Sequence, residues 1–337
     1  MELVGACDPD PERRASASRG RGFPAYASLD ELLARSRPEL VIVASPPALH
    51  AGQCRLALDH GAHVLCEKPF AASVSEGRNV MVRAAETGRQ VVVNHEFGWM
   101  PIFRSVIEQV AREGAGGPSV VQVWQMIDAD PGTEAGWRGR LRHRTLYEAG
   151  GHAVDLALAL FGEVPVGVSA TLAGEGADTT VLATLRFGRG GLAQLTQSRR
   201  HAGDRQYLEV RADTPVASYR ASFGGRTRLS AGLERSTAPH LRFEWGRSGI
   251  AWKEEGTRRK VLARNPPRPL VAATATLTSS YLDALRRGRP HAFRDGLDTL
   301  RVIAAAHLAA ELGREVALEG NDAERAAGLA LAEERPA

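Results

Sequence analysis

Short apolar runs alternate with amphipathic stretches through the first hundred residues. The runs read ELVGAC, ELVIVAS, HVLCEKP and QVVVNHEF. Between them lie stretches of about ten residues whose apolar positions recur at helical spacing. Ser28 and Ser73 stand directly before two such stretches, where helix N-caps are expected, and Glu76 follows Ser73 by three residues. This pattern predicts a parallel α/β sheet covered on both faces over residues 1–97.

From about residue 118 the pattern changes to alternating apolar and polar positions. The runs SVVQVWQMID, VGVSATLAG, TTVLATLRF, GLAQLTQSR, QYLEVRAD and PVASYRASF predict an open, mostly antiparallel sheet. Two later stretches predict helices that end at Gly288 and Gly313. We assign residues 98–317 to a second α/β domain and 318–337 to a C-terminal tail, a solvated helix or a frayed end. The segment 230–269 is undecided.

Composition limits the class of protein. The chain has 337 residues, 43% hydrophobic and 24% charged, so a two-domain globular protein is expected. Its 43 basic and 39 acidic residues are interspersed, which gives no support to nucleic-acid binding. Cys7, Cys54 and Cys66 lack metal-site spacing, which predicts buried thiols in a cytoplasmic protein without a metal. Neither a leader nor an apolar run of ~18 residues is present, so no membrane association is expected.

Lys68, in the stretch VLCEKPF, is one of three lysines among 43 basic residues. A solvated surface charge could be lysine or arginine. A group that shares a proton near neutral pH must be the lysine, because guanidinium stays protonated. Lys68 is therefore a candidate catalytic residue, and the alternative is a surface lysine in a turn after a strand.

A second group of ionisable residues lies in LYEAGGHAVDL. On a helix, Glu148, His152 and Asp155 fall at i, i+4 and i+7 and project from one face. A carboxylate and an imidazole on one face suit proton transfer. The alternative is a trio that caps a helix and lines the core, although capping does not require three ionisable groups on one stripe.

Five blocks in order resemble the Gfo/Idh/MocA oxidoreductases over about residues 2–317. These blocks are CDPDPERR, VIVASPPALH, ALDHGAHVLCEKPF, VVVNHEFGWMP and EAGGHAVDL. The resemblance implies a Rossmann-type nucleotide-binding domain followed by an α/β domain whose open sheet carries the substrate site and often the oligomer interface.

The resemblance also implies roles for the ionisable residues. Lys68 would lie beside the nicotinamide and the substrate hydroxyl, with Glu67 as its electrostatic partner. His152 would accept the hydroxyl proton, and Asp155 would support it. Glu148 stands where the family usually has aspartate, and its longer side chain either contacts substrate or orients His152.

Further positions match the cofactor and substrate sites of the family. The cofactor positions are Asp8, Ser45, Pro46, His50, Glu67, Lys68 and Asn94. His50 could equally serve ordinary loop packing. Trp99, Trp137 and Arg138 are candidates for lining a sugar site, although tryptophans are more often core or interface residues. Glu96 stands where family members often have arginine, so an anionic substrate is not implied.

The start of a dinucleotide-binding fold is not found in the sequence. Asp8 matches the acid at the end of the second strand, and no G-x-G-x-x-G precedes it. We expect either a start codon assigned too late or a lost pyrophosphate site. Loss of the first strand would open a gap in the sheet, and this chain should bind dinucleotide weakly or not at all. The Asp8 carboxylate favours NAD over NADP, while Arg13 and Arg14 leave NADP open.

The function implied is an NAD(P)-dependent oxidoreductase acting on a secondary alcohol or ketone of a sugar, cyclitol or related polyol. A homodimer or homotetramer is expected. One alternative is an NAD-dependent glycoside hydrolase or lyase that oxidises its substrate transiently. The other is a non-catalytic homologue with an incomplete cofactor site.

Overall fold

Parallel strands and amphipathic helices alternate through the first 97 residues of the computed structural model. The structure describes residues 2–113, 117–127, 136–174, 177–201, 207–224, 227–231, 241–245, 249–291 and 296–333. The N-terminal elements are β1 (Ala6–Cys7), α1 (Pro11–Ser18), β2 (Ala25–Tyr26), α2 (Leu29–Ser36), β3 (Leu40–Val43), α3 (Pro47–Asp59), β4 (His63–Cys66), α4 (Val74–Thr87) and β5 (Val91–Val93). All strand pairs among them are parallel, as the apolar runs predicted.

The two predicted serine caps are confirmed. Ser28 Oγ accepts the N–H of Glu31 at 3.2 Å at the start of α2. Ser73 Oγ accepts the N–H of Glu76 at 3.2 Å at the start of α4. The Glu76 carboxylate accepts the N–H of Ala72 at 3.2 Å, so this acid also ties down the chain before the helix. These bonds satisfy backbone donors that a helix start leaves free.

The parallel sheet is divided into two parts. Strands β1 and β2 pair with each other, and β3, β4 and β5 form a separate sheet with β3 at one edge. Leu3 and Ile42 are 54% and 50% exposed, high values for apolar residues of a nucleotide-binding sheet. Within the described ranges, no strand pairs with the free edge of β3. The division lies where the sequence predicts a gap.

The second domain contains a nine-stranded sheet. Its strands are β6 (Val120–Met126), β7 (Gly167–Ala173), β8 (Thr180–Arg186), β9 (Leu192–Ser198), β10 (Tyr207–Asp213), β11 (Ser218–Phe223), β14 (Ile250–Glu255), β15 (Arg258–Arg264) and β16 (Val316–Ala317). Their order is β15-β14-β11-β10-β6-β9-β8-β7-β16. Only β6 and β9 pair in parallel, so the predicted open, mostly antiparallel sheet is confirmed.

The second domain also contains helices, which are α5 (Pro101–Glu113), α6 (Trp137–Arg140), α7 (Gly151–Phe161), α8 (Pro269–Arg286), α9 (Gly296–Leu312) and α10 (Gly320–Ala327). Of these, α5, α7 and α9 pack against strands of the large sheet, whereas α8 packs against the first domain. Gly288 and Gly313 follow α8 and α9 with φ of 60° and 63°, as expected for glycines that end helices. Helix α7 is buried along almost its whole length, and this central helix carries His152 and Asp155.

The undecided segment 230–269 contributes strands. β14 and β15 form a hairpin that extends one edge of the large sheet. A second hairpin joins β12 (Thr227–Ala231) to β13 (Leu241–Trp245). Residues 232–240 and 246–248 lie outside the described residues. Few positions of this segment are apolar and many are charged, so no clear period-two pattern marks these strands in the sequence.

The C-terminal segment packs against both domains. After α10, Leu331 is fully buried and its N–H donates to the carbonyl of Ala72 at 2.8 Å. Farther on, Arg142 N–H donates to the carbonyl of Glu333 at 2.9 Å. The expectation of a frayed end is therefore wrong for residues 318–333. Residues 334–337 lie outside the described part of the chain.

The cysteines only partly follow the expectation. Cys54 and Cys66 are buried free thiols, whereas Cys7 is an exposed one. None of the helices in the described ranges combines the length and apolar character that a membrane span requires.

Candidate active site

Lys68 lies at the carboxyl end of β4, where ligand sites of parallel α/β sheets form. The Lys68–Pro69 peptide bond is cis. The Nζ of Lys68 donates a hydrogen bond to the carbonyl oxygen of Glu148 at 2.8 Å and lies 3.8 Å from Oε1 of Glu148. The side chain is 17% exposed, so the interpretation as a surface lysine is wrong. Lys68 thus reaches from the first domain into the second.

Glu67 is engaged by other partners. Its Oε1 accepts a hydrogen bond from Asn94 Nδ2 at 2.7 Å, and its Oε2 accepts the N–H of Lys68 at 3.3 Å. The prediction that Glu67 pairs with the Lys68 ammonium is therefore wrong, because that ammonium turns to Glu148 instead. The bond between Glu67 and Asn94 joins the ends of β4 and β5. It leaves Asn94 Oδ1 buried and without a hydrogen-bond partner among the described residues.

A π-helical turn over Arg144–Ala149 presents Glu148. The Asp178 carboxylate accepts the N–H groups of Thr145 and Leu146, both at 2.9 Å, which fixes the start of the turn. At Gly150 an added Cβ would lie 2.4 Å from the carbonyl oxygen of Leu146, so only glycine fits there. Helix α7 begins after it at Gly151. The prediction that one regular helix carries Glu148 and His152 is therefore wrong.

Three cations surround the Glu148 carboxylate. Arg199 Nη2 hydrogen-bonds Oε2, Arg138 Nε lies 3.4 Å from Oε1, and Lys68 is on the same side. Burial would raise the pKa of this carboxyl, but Lys68, Arg199 and Arg138 together lower it to about 2. Glu148 is therefore a fixed anion that holds Lys68. Arg199 was missed from the sequence because an arginine at the end of a strand, next to Arg200, gives no signal of its own.

His152 lies on α7 and is 4% exposed. Its ring packs edge-on against Phe97 with the centroids 4.0 Å apart. Its Nε2 is 4.0 Å from Oε1 of Glu96, so its acidic neighbour is Glu96 and not Glu148. Burial, and then the charges of Lys68 and His95, hold the pKa of His152 well below its usual value. The imidazole is neutral and can accept a proton transiently.

Glu96 begins a short 3-10 turn, Glu96–Trp99, after β5. Burial raises the pKa of its carboxyl to about 7, against the opposing effect of Lys68 and with small contributions from Glu67 and Asp155. Its Oε2 is buried and has no hydrogen-bond partner in the described part of the chain. The sequence singled out Glu96 only as a departure from arginine, and it did not predict this proximity to His152.

Asp155 lies one turn after His152 on α7 and is 8% exposed. A Cβ added to Gly98 would lie 3.6 Å from Asp155 Oδ2, which shows that this carboxylate faces the Glu96–Trp99 turn. The three residues predicted from LYEAGGHAVDL are thus close together. Glu148 belongs to the Lys68 side of the site, whereas His152 and Asp155 belong to the Glu96 side.

The three residues predicted to line a substrate site lie in two places: Trp137 and Arg138 are together, and Trp99 is apart from them. Arg138 reaches the site through Glu148, and its guanidinium stacks over Trp137 at 4.4 Å from the ring centroid. The Trp99 ring is covered by the Arg104 guanidinium at 4.5 Å and packs near Tyr281 and Leu277 of α8. The described contacts of Trp99 do not bring it to Lys68.

His50 connects two loops beside the site. Its Nδ1 lies 2.7 Å from the carbonyl oxygen of Pro69, and its Nε2 lies 2.7 Å from that of Ser45. The ring is fully buried at the start of α3, which follows Pro46 directly. Ser45 Oγ itself donates to Gln53 Oε1 at 2.6 Å. His50 therefore ties the loop after β3 to the Lys68–Pro69 turn.

A nicotinamide dinucleotide fits the described residues at its two ends. The buried, unpartnered Oδ1 of Asn94 suits an amide N–H donor such as a nicotinamide carboxamide. At the other end, Asp8 follows β1, and its Oδ1 accepts the N–H of Asp10 at 2.9 Å. The Asp8 side chain is partly exposed and suits ribose hydroxyls. The sequence contains no G-x-G-x-x-G for the pyrophosphate.

Curated proteins are similar to this chain in sequence. The chain is 25% identical over 341 aligned positions to D-apiose dehydrogenase from Paraburkholderia graminis, covering 96% of this chain and 84% of that protein. Inositol 2-dehydrogenase from Rubrobacter xylanophilus is 31% identical over 140 positions, 40% of each chain.

Solved structures share the fold. An oxidoreductase from Agrobacterium radiobacter in complex with NAD+, L-tartaric acid and magnesium has a TM-score of 0.79 at 18% identity, over 94% of this chain and 90% of that one. The aldose-aldose oxidoreductase from Caulobacter crescentus complexed with glycerol has a TM-score of 0.75 at 21% identity, over 94% and 91%.

Sequence models of one family match both domains. A model for an oxidoreductase family with an NAD-binding Rossmann fold matches residues 1–95. A model for the Gfo/Idh/MocA C-terminal domain matches residues 103–218. This chain belongs to the Gfo/Idh/MocA oxidoreductase family, as the five sequence blocks predicted.

Proposed function

We propose that the protein is an NAD(P)-dependent oxidoreductase that interconverts a secondary alcohol and a ketone of a sugar, cyclitol or related polyol. The observation that carries the proposal is the convergence of Lys68 from the first domain with Glu148 from the second, beside His152. The names of the relatives, which include dehydrogenases of apiose and inositol, support this substrate class.

The bound dinucleotide supplies a hydride acceptor, and the residues of this chain supply the rest. The Lys68 ammonium, held in place by Glu148, donates a hydrogen bond to the substrate oxygen that becomes a carbonyl. His152, kept neutral by burial, takes up the hydroxyl proton. We assign Asp155, one turn after His152 on α7, a supporting role beside that histidine. In ketone reduction His152 returns the proton, and Lys68 again hydrogen-bonds the oxygen.

Cofactor binding is assigned to residues of the first domain. Asn94 would hydrogen-bond the nicotinamide end of the cofactor, and Glu67 holds Asn94 in position through a hydrogen bond. Ser45 and Pro46 line the loop after β3, and His50 braces that loop. Asp8 meets the ribose, and its carboxylate favours NAD over NADP.

Arg138 and Trp137 are proposed to meet the substrate. The stacked pair offers a flat apolar face and guanidinium donors, which suit the hydroxyls of a sugar ring. Trp99 stays a weaker candidate, since its ring packs against α8.

We also infer a homodimer or homotetramer that forms through the open face of the large sheet. Val120, Trp124, Leu182 and Leu192 lie on that face and are 36–48% exposed. Such a row of apolar residues suits an interface between copies. We further infer a reducing cytoplasmic location from the three free cysteines.

The test follows reduced nicotinamide by absorbance with a panel of polyols, sugars and glycosides, using NAD+ and NADP+ at high concentration. Lys68→Ala should lower the rate by about 10²–10⁴-fold, and Lys260→Ala, a control at an exposed lysine, should leave it unchanged. Release of an aglycone without net reduced nicotinamide would contradict the proposal and favour the hydrolase or lyase.

A further inference from the structure

Glu96 is a buried carboxyl group for which the proposed reaction has no role. It faces His152 Nε2 at 4.0 Å through Oε1, while its Oε2 has no hydrogen-bond partner among the described residues. Leaving a buried acceptor unsatisfied costs about 1–3 kcal/mol. An acceptor kept in this state beside a reacting histidine indicates a hydrogen-bond donor that arrives with a ligand.

The separation of 4.0 Å suits one oxygen atom between the two groups. An oxygen about 2.8 Å from each, an ordinary hydrogen-bond length, would see them at roughly 90°. That angle is compatible with a hydroxyl that donates to one group and accepts from the other. A substrate hydroxyl bound there contacts Glu96 and His152 together.

Four neighbouring ionisable groups are poor final acceptors for the proton. Lys68 acts as a hydrogen-bond donor to Glu148, which holds it in place. Glu148 is fixed as an anion by three cations. His152 is buried among positive neighbours, which disfavours an imidazolium. Both carboxylate oxygens of Glu67 already accept hydrogen bonds, one from Asn94 and one from a backbone N–H.

We propose that the Glu96 carboxylate is the final acceptor of the substrate hydroxyl proton, a catalytic role that rests on the proposed oxidoreductase function. The substrate O–H bond breaks and an O–H bond forms on Glu96, directly or through His152. The carbinol C–H electron pair leaves as hydride to the oxidised nicotinamide dinucleotide, and the carbonyl double bond forms. The substrate loses two electrons, and the dinucleotide gains them.

The burial of Glu96 and the charged groups around it determine the pH above which its carboxylate can accept the proton. Lys68 and Glu67 act on it from the end of β4, and Asp155 and His152 face it from α7. Burial dominates and brings the pKa of Glu96 to about 7, so the carboxylate forms as pH rises through neutrality. Alcohol oxidation should therefore accelerate with rising pH, and ketone reduction should slow.

The test compares wild type, Glu96→Gln and Glu96→Asp with Glu86→Gln, a control at a carboxyl whose side chain is 55% exposed. Polyol oxidation with NAD+ or NADP+ is measured from mildly acidic to mildly alkaline pH. Wild type should show an inflection at about 7. Glu96→Gln should lose the inflection and about 10²–10⁴-fold in rate. Glu96→Asp should keep the inflection, and Glu86→Gln should match wild type.

A Glu96→Gln enzyme with the wild-type rate and inflection would overturn the assignment. A second measurement does not depend on turnover. In an NMR titration of protein labelled with ¹³C-glutamate, the Glu96 carboxyl resonance is the one that is missing from the spectrum of Glu96→Gln. This resonance should titrate with a pKa of about 7. If it titrates at the ordinary value of about 4.3, the role of Glu96 is rejected. A wild type that oxidises no polyol contradicts the oxidoreductase function and with it the role of Glu96, whereas an active wild type with an unaffected Glu96→Gln variant contradicts the role of Glu96 alone.

Discussion

The Lys68 Nζ donates a hydrogen bond to the carbonyl oxygen of Glu148 at 2.8 Å, across the boundary between the two domains. The carboxylate of the same residue holds Arg199 and Arg138, so one side chain fixes cations from several elements. The position of Lys68 thus depends on the second domain. We expect stability and catalysis to respond together when Glu148 is changed.

Glu148→Gln should lower the free energy of unfolding by about 3–5 kcal/mol, because it leaves buried Arg199 and Lys68 without their anion. The matched control is Glu315→Gln, which breaks a surface pair with Arg186 whose side chains are 43% and 51% exposed. That change should cost about 0–1 kcal/mol. Urea unfolding of both variants checks the difference. Equal losses would mean that Glu148 is no better paired than a surface carboxylate.

The pH dependence of stability should separate Glu148 from Glu96. The folded-state pKa of Glu148 is lowered from 4.5 to about 2. Its contribution to stability is therefore fully present above about pH 4.5 and is lost as pH falls from about 4.5 to about 2. The folded-state pKa of Glu96 is raised to about 7, so its effect has the opposite sign. Its protonated form stabilises the folded state at low pH, and this contribution is lost as pH rises from about 4.5 to 7.

Glu96→Gln should therefore be more stable than wild type above neutral pH, by up to roughly 3 kcal/mol. Below about pH 4 the two proteins should be similar, because both then carry a neutral side chain. Denaturant unfolding at several pH values checks this. A constant difference at all pH values would show that Glu96 titrates normally in the folded protein.

Much of this structure follows from the sequence, and the remainder depends on contacts between distant segments. Period-two alternation predicted β6 to β11 because each strand buries one face. Lys68 could be found because its residue type is rare here. The partner of Lys68 could not, because Glu148 lies 80 positions away and the turn that presents it is π-helical. The raised pKa of Glu96 arises from burial, which one sequence does not show.

Two glycine substitutions should differ sharply. At Gly150 a Cβ would lie 2.4 Å from the Leu146 carbonyl oxygen and 2.7 Å from Gln197 Oε1, so Gly150→Ala must displace the turn that holds Glu148. At Gly52, inside α3, nothing lies within 4 Å of the added Cβ. Gly52→Ala should stabilise by about 0.5–1 kcal/mol, whereas Gly150→Ala should destabilise and reduce turnover. Thermal unfolding and polyol oxidation check the pair, and an unaffected Gly150→Ala would contradict the described turn.

The most direct test of the central claim is a double-mutant cycle on kcat/KM for polyol oxidation with Lys68→Ala and His152→Ala. If the two residues act on one substrate hydroxyl, each single change should cost about 10²–10⁴-fold. The double variant should then lose little more than the worse single variant, since groups that act as a unit are strongly non-additive. Losses that multiply independently, or single variants that keep wild-type activity, would contradict a shared site.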